Sequence, residues 1–172
     1  MSNKTKRIII ISGDELKETL SRLTSEIIEK VKNIENLLLI GIPTKGMDLA
    51  EIIENELFHK TGIKIMKGII DPTFYRDDQD KVGTRLIKAT NIPTPIEKKE
   101  ILLIDDVIYT GRTIRAAMDA LYSWGRPKRV MLLVMVDRGH RELPIQPDFC
   151  GKEVITSKNE SIFLSLNNVD NE

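Results

Sequence analysis

The chain has 172 residues, 41% of them hydrophobic, and balances 26 Lys and Arg against 26 Asp and Glu for a formal net charge of zero. That length suits one domain, residues 1–172, with a substantial core, and the balanced charge excludes a surface broadly attractive to nucleic acid or anionic lipid, so any anion site must be local. The one cysteine, Cys150, excludes an intramolecular disulfide, and the two histidines, His59 and His140, offer no metal-ligand cluster with it, which predicts a reducing, cytoplasmic setting.

Residues 8–11 are all isoleucine and follow a basic start. The run is too short for a signal-peptide core or a membrane span, and is expected to be a first β-strand. Asp14 is expected to cap a helix whose apolar residues fall at Leu16, Leu20, Leu23, Ile27 and Val31. Residues 37–42 read as a second, buried strand, residues 43–46 as a loop, and Met47, Ala50, Ile53 and Leu57 as the apolar face of a second helix. Residues 63–70 read as a third strand. From Tyr75 to Thr90 the chain turns polar, with Arg76, Asp77, Asp78, Gln79, Asp80 and Lys81 ahead of Gly83; residues 76–90 are either a solvated turn or a mobile active-site segment.

Pro93 and Pro95 lead into the apolar run 101–104. Beyond it, Ile114, Ala117, Leu121 and Tyr122 define a helix that ends near Gly125 and Pro127. Residues 130–136 are another continuous apolar strand. After Arg138 the rhythm breaks at Pro144, Pro147 and Gly151, with a weak last strand at 162–166 and a polar end expected to fray. Strands apolar on both faces that alternate with amphipathic helices predict an α/β fold, a central parallel sheet flanked by helices.

In such sheets ligands bind outside the carboxyl ends of the strands, so the residues after each apolar run carry the information. The richest segment is Asp105, Asp106, Val107, Ile108, Tyr109, Thr110, Gly111, Arg112 and Thr113, read as a loop between a buried strand and a helix. Thr110, Gly111 and Thr113 are small and would present backbone N–H groups at a helix N-terminus, where the dipole favours an anion. Two adjacent carboxylates would repel a phosphate but accept hydrogen bonds from vicinal hydroxyls. Phosphate and diol together spell a ribose phosphate. The competing reading, in which Asp105 and Asp106 end a strand and Thr110 or Thr113 caps the helix, leaves the two acids unexplained. The spacing of a nucleoside triphosphate P-loop is absent.

The segment ILLIDDVIYTGRT, residues 101–113, resembles the signature of type I phosphoribosyltransferases, which use phosphoribosyl pyrophosphate (PRPP) as donor. Together with VDRGHRELPIQPDFCGKEVITSKNE, residues 136–160, it makes the chain similar, over about residues 14–170, to the bifunctional pyrimidine operon attenuation protein/uracil phosphoribosyltransferase family. The resemblance implies transfer from PRPP to uracil with Mg2+, giving UMP and pyrophosphate. By similarity Asp105 and Asp106 hold the ribose hydroxyls, with Asp106 nearer the reacting centre, and Tyr109, Thr110, Gly111, Arg112 and Thr113 wrap the 5-phosphate. Mg2+ is expected to be anchored through the PRPP oxygens rather than by a protein cage. Thr44, Lys45 and Gly46 correspond to the pyrophosphate loop. There Pro43 and Lys45 depart from the family's Lys-Thr-Arg-Gly, and loss of the planar arginine fork implies weaker binding of the leaving group.

The same resemblance assigns uracil to Asp137, Arg138 and Gly139, at the start of a small hood formed by residues 138–160. His140 is expected to pack or to face solvent rather than to act in catalysis. Residues 76–90 would cover bound PRPP, with Arg76 as the catalytic candidate there. Family members are homo-oligomers, and their regulatory members bind pyrimidine operon leader mRNA in a UMP-dependent way. The corresponding candidates are Arg22, Arg141 and Lys152, while Ser25 and Gln146 stand where RNA-binding members carry His and Arg. The alternative function is therefore mainly that of an RNA-binding regulator that senses UMP.

Overall fold

The computed structural model describes residues 8–77 and 88–166. Of the polar stretch 76–90, residues 78–87 lie outside the described residues, as do 167–172.

The first helix, α1, spans Gly13–Lys30 and begins one residue after Ser12 rather than at the expected Asp14. Ser12 Oγ accepts the Glu15 N–H at 3.2 Å and Glu15 Oε2 accepts the Ser12 N–H at 2.7 Å, so the two residues satisfy each other's orphan donors in a capping box. A parallel β1 (Leu37–Gly41), α2 (Lys45–Thr61) and β2 (Met66–Ile69) follow. Then come β3 (Glu100–Ile108), α3 (Arg112–Tyr122), β4 (Arg129–Asp137) and β5 (Phe149–Glu153). All pairings among these strands are parallel, in the order β2-β1-β3-β4-β5.

Successive side chains of a strand point to opposite faces, and the core divides accordingly. Leu37, Leu39, Leu102, Ile104, Leu133 and Met135 pack beneath α1 and α2, against Leu20, Leu23, Ile27, Leu49 and Ile53. Leu38, Ile40, Ile101, Leu103, Leu132 and Val134 pack on the other face against Ile114, Ala117 and Leu121 of α3. Each fully buried Leu or Ile contributes about 1.5–3 kcal/mol. The three-layer arrangement is the one expected from the apolar runs.

Four expectations need correction. Residues 8–11 form no strand; Ile8 and Ile9 are 71% and 85% exposed, the Ile10 carbonyl accepts from Lys152 Nζ at 2.7 Å, and Ile11 packs against the core. Residues 162–166 also form none, although Ile162, Leu164 and Leu166 still pack on the α1 and α2 side of the core. The third strand is shorter than residues 63–70, because Thr61 Oγ1 takes the Ile63 N–H in a turn after α2 and pairing starts at Met66. Conversely β3 runs on through the acidic pair to Ile108, since its ladder with β4 continues at Asp105↔Val134, Val107↔Val136 and Ile108↔Asp137.

Candidate active site

The carboxyl ends of β1 and β3 open into a cavity of about 590 Å3 lined by Pro43, Thr44, Lys45, Lys88, Asp105, Asp106, Val107 and Thr113. It brings together the sequence-predicted acidic pair, the loop after β1 expected to meet pyrophosphate, and the start of α3. The pair lies on the overshoot of β3, where adjacent residues face opposite sides, so Asp105 is buried and Asp106 half-buried. Asp105 Oδ1 accepts the Asp106 N–H at 3.0 Å, and Asp106 Oδ1 accepts the Val107 N–H at 2.9 Å. Each carboxylate is thus oriented by the main chain that carries it.

Residues 109–111 make the turn from β3 into α3. Gly111 is the N-cap, with φ 90°, a conformation glycine adopts without the Cβ penalty. Gly111 has no side chain to cap α3, but Thr110 Oγ1 accepts the N–H of Arg112, the first helical residue, at 3.3 Å, while Thr113 Oγ1 accepts from Arg76 Nη1 at 2.5 Å. Capping therefore accounts for Thr110 but not for Thr113 or for the two acids. The first N–H groups of α3 lack intrahelical acceptors, and the helix dipole makes that end attractive to a phosphate.

The loop after β1 is fastened to the acidic pair. Ile42 N–H donates to the Ile104 carbonyl at 2.9 Å. A Cβ added at Gly46 would fall on that same carbonyl oxygen, with Asp105 Cα at 3.4 Å. Glycine is what lets the first turn of α2 touch β3. The Pro43–Thr44 peptide is cis. Lys45 Nζ pairs with Asp48 at 3.1 Å; both side chains are solvent-accessible, so the pair is weak and an entering anion can replace it.

Arginines cluster at the start of α3. Arg112 Nη1 binds Asp77 at 2.7 Å and its Nε binds Glu142 at 2.7 Å, while Arg115 Nη2 donates to the Tyr75 carbonyl at 2.8 Å. Two residues here escaped sequence reasoning. Lys88 lines the cavity, and its backbone N–H donates to Asp71 Oδ2 at 2.7 Å. Buried Asp71 also accepts from the Thr73 N–H at 3.0 Å and the Thr73 hydroxyl. Asp71 directly follows the apolar pair 69–70 at a strand's carboxyl end, which is a usable signal; Lys88 lies within the segment 76–90 expected to cover PRPP, but its type alone does not single it out.

The hood rises from the end of β4, where Asp137 lies beside Ile108. Arg138 is 8% exposed: its guanidinium stacks 4.1 Å from the centre of the Tyr109 ring and donates to Thr156 Oγ1 at 3.2 Å and to the Ser157 carbonyl at 3.0 Å. His140 meets the same tyrosine edge-on, with ring centres 5.7 Å apart, and its Nε2 lies 2.6 Å from the Thr156 carbonyl oxygen. That is a packing role. Burial raises the Asp137 carboxyl, but the Arg141 hydrogen bond, the Gly139 N–H and the Arg141 charge outweigh it and hold the group below its ordinary value.

The three RNA candidates do not converge. Arg22 donates to the Cys150 and Gly151 carbonyls at 3.2 and 2.7 Å, close to Lys152, whereas Arg141 is enclosed in the hood. Ser25 Oγ accepts from Lys60 Nζ at 2.9 Å, and Gln146 Oε1 accepts from Arg141 at 3.1 Å. Among the described residues, no group of three or more His, Cys, Asp or Glu could hold a metal ion, and no helix is long and apolar enough to cross a membrane.

Comparison with known proteins agrees with this geometry. Residues 12–166 match the model of the phosphoribosyl transferase domain. The bifunctional protein PyrR of Microcystis aeruginosa is 49% identical over 163 residues, covering 95% of this chain and 92% of that one. Its namesake from Listeria monocytogenes is 46% identical over 171 residues, covering 97% and 93%. Among solved structures, a hypoxanthine-guanine phosphoribosyltransferase from Bacillus anthracis superposes with TM-score 0.68 at 17% identity, over 87% of this chain and 85% of that one. A Trypanosoma cruzi hypoxanthine phosphoribosyl transferase gives 0.71 at 14%, over 91% and 83%. At such identities these two speak to the fold alone. A cavity lined by an acidic pair at the carboxyl end of a parallel sheet, the domain match and the extent of identity to the PyrR proteins together place the chain in the phosphoribosyltransferase family, within its bifunctional pyrimidine operon attenuation protein/uracil phosphoribosyltransferase branch.

Proposed function

We propose that the protein transfers the phosphoribosyl group of PRPP to N1 of uracil, releasing pyrophosphate and forming UMP. The observation that supports this reading is the cavity shared by Asp105, Asp106, Thr113 and the loop residues Pro43, Thr44 and Lys45. The α3 N-terminus and the turn 109–111 take the 5-phosphate, the carboxylates take the ribose hydroxyls, and the loop after β1 takes the leaving group. As the C1–oxygen bond breaks, positive charge grows on the ribose ring, and the fixed carboxylates stabilise it without a covalent enzyme intermediate. Asp106 is the more open of the two, which supports its assignment as the carboxylate nearer that centre. Arg76, already on the Thr113 hydroxyl, and Lys88 add positive charge at the rim.

Asp105 and Asp106 are hard oxygen donors of the kind Mg2+ prefers, and they fit an ion carried in mainly on PRPP oxygens, where it would neutralise the departing pyrophosphate. Because the Arg138 guanidinium is committed to Tyr109, Thr156 and Ser157, uracil is read by the main chain of 137–139 and by Asp137, with Arg138 holding that segment in place. The protein works in the cytoplasm as a homo-oligomer. Incubation with PRPP, Mg2+ and each nucleobase in turn tests the reading: UMP should accumulate from uracil, and its absence rejects uracil transfer.

The relatives' shared name, bifunctional protein PyrR, supports a second activity, UMP-dependent binding of pyrimidine operon leader RNA. Arg22, which donates to the Gly151 carbonyl of β5, and Lys152, within β5, are the contacts this reading retains. Such binding rests on phosphate contacts and weakens with salt. A gel shift with leader RNA at low salt should show a UMP-dependent complex; unchanged mobility rejects it.

A further inference from the structure

We propose that Arg141 is a positioning residue for the uracil half of the reaction, tying the ribose-phosphate turn to the carboxylate beside the base. Its side chain is 13% exposed and reaches both subsites. Nη1 donates to the Tyr109 carbonyl at 3.0 Å, on the turn that leads into α3. Nη2 binds the Asp137 carboxylate and Gln146 Oε1, the latter at 3.1 Å, and Nε donates to the Ile145 carbonyl at 2.8 Å. One planar fork thus spans the end of β4, the turn after β3 and the hood. Lysine, a single point donor on a flexible stem, cannot reproduce that geometry.

The consequence falls on Asp137. Its other hydrogen bond comes from the Gly139 N–H at 2.9 Å, within the hood turn itself. Without Arg141, a half-buried carboxylate would lose the partner that fixes its direction, and the Tyr109 carbonyl would lose its link to the hood. The hood would stay attached, because the Glu142 and Leu143 N–H groups both donate to the Thr110 carbonyl, at 3.0 and 3.2 Å. Loss of Arg141 should therefore misalign the base while leaving the ribose-phosphate site and the fold in place.

This inference rests on the uracil phosphoribosyltransferase reading, and the test separates the two. Steady-state UMP formation is measured for the full chain, for Arg141→Ala and for Arg141→Lys, varying uracil and PRPP independently. Both variants should lose about tenfold or more in kcat/KM for uracil, the scale of a lost charged hydrogen bond. KM for PRPP should stay within about twofold. Guanidinium ion, far below denaturing concentration, should partly restore Arg141→Ala, and methylammonium should not. Unchanged uracil kinetics in both variants would overturn the proposal, as would a parallel loss for both substrates without rescue. If Arg141→Ala does not fold, Arg141→Lys decides on the uracil and PRPP constants. Loss of RNA binding with unaltered kinetics would give Arg141 to RNA and also overturn it. An inactive unmodified chain would instead reject the underlying reading of the reaction.

Discussion

The contact between the pyrophosphate loop and the acidic pair makes a sharp prediction at Gly46. Alanine there would place a Cβ nearer the Ile104 carbonyl oxygen than the 3.0 Å that real Cβ atoms respect, with the Ile104 carbonyl carbon at 3.1 Å and Asp105 Cα at 3.4 Å. These are backbone atoms of the central strand, so they cannot swing aside as a side chain could. Two effects oppose each other. Gly→Ala inside a helix usually gains about 0.5–1 kcal/mol, while forcing an extra carbon into a closed contact costs about 1–3 kcal/mol. The clash should win, because relief requires the start of α2 to lift from β3 and weakens the Ile42 N–H bond to Ile104 at 2.9 Å. A net loss of about 1–2 kcal/mol corresponds to a Tm fall of roughly 2–8 °C for a chain of this size. The functional loss should be larger: a shift on the order of 1 Å between Thr44, Lys45 and the carboxylates costs about a hundredfold where groups must be aligned. Thermal unfolding gives the first number and kcat/KM for PRPP the second. A variant with unaltered Tm and PRPP kinetics would refute the idea that this close approach sets the loop.

Asp106→Asn should lower kcat by about a hundredfold or more, since a preorganised charge facing the reacting centre is removed, with Tm little changed; an unaltered rate of UMP formation would reject its role. Lys45→Arg should lower the KM for PRPP by restoring a bidentate fork at the loop, read in the same assay with PRPP varied. The Asp137 carboxyl is held below its ordinary value in the folded chain, so its ion pair with Arg141 contributes stability that is present above the unfolded value, about pH 3.9, and is lost as pH falls through the lower folded one. The Tm difference between the unmodified chain and Asp137→Asn should therefore be largest near neutral pH and shrink below about pH 4; a difference that persists there would contradict the assignment.

How much of this was legible in the residues follows from which forces are local. The runs 37–42, 101–104 and 130–136 are apolar on both faces, and only a covered parallel sheet buries such runs, so the central architecture could be read directly. β5 could not: within Phe149–Glu153 only Phe149 is fully buried, and the strand exists because β4 offers Leu133–Asp137 an edge to pair with. The opposite error occurs at residues 8–11, where local preference favours a strand but the chain finds a cap at Ser12 and no ladder partner. At β3 the apolar signal fades at Asp105 while the hydrogen-bond ladder does not, so a strand end looked like a loop. The site shows the same division. Two adjacent acids before a Thr-Gly-Arg-Thr turn stand out by type and spacing, and the fold brings them into one cavity with Thr113. Cations do not, because a guanidinium or ammonium binds whichever acceptor the fold brings within reach. Arg22, Arg141 and Lys152 look equivalent in a sequence; the fold gives Arg22 the Cys150 and Gly151 carbonyls, Lys152 the Ile10 carbonyl, and Arg141 the Tyr109 carbonyl from 32 residues away. The separation of Arg141 from the other two is what turns a candidate surface contact into a brace between the two substrate subsites.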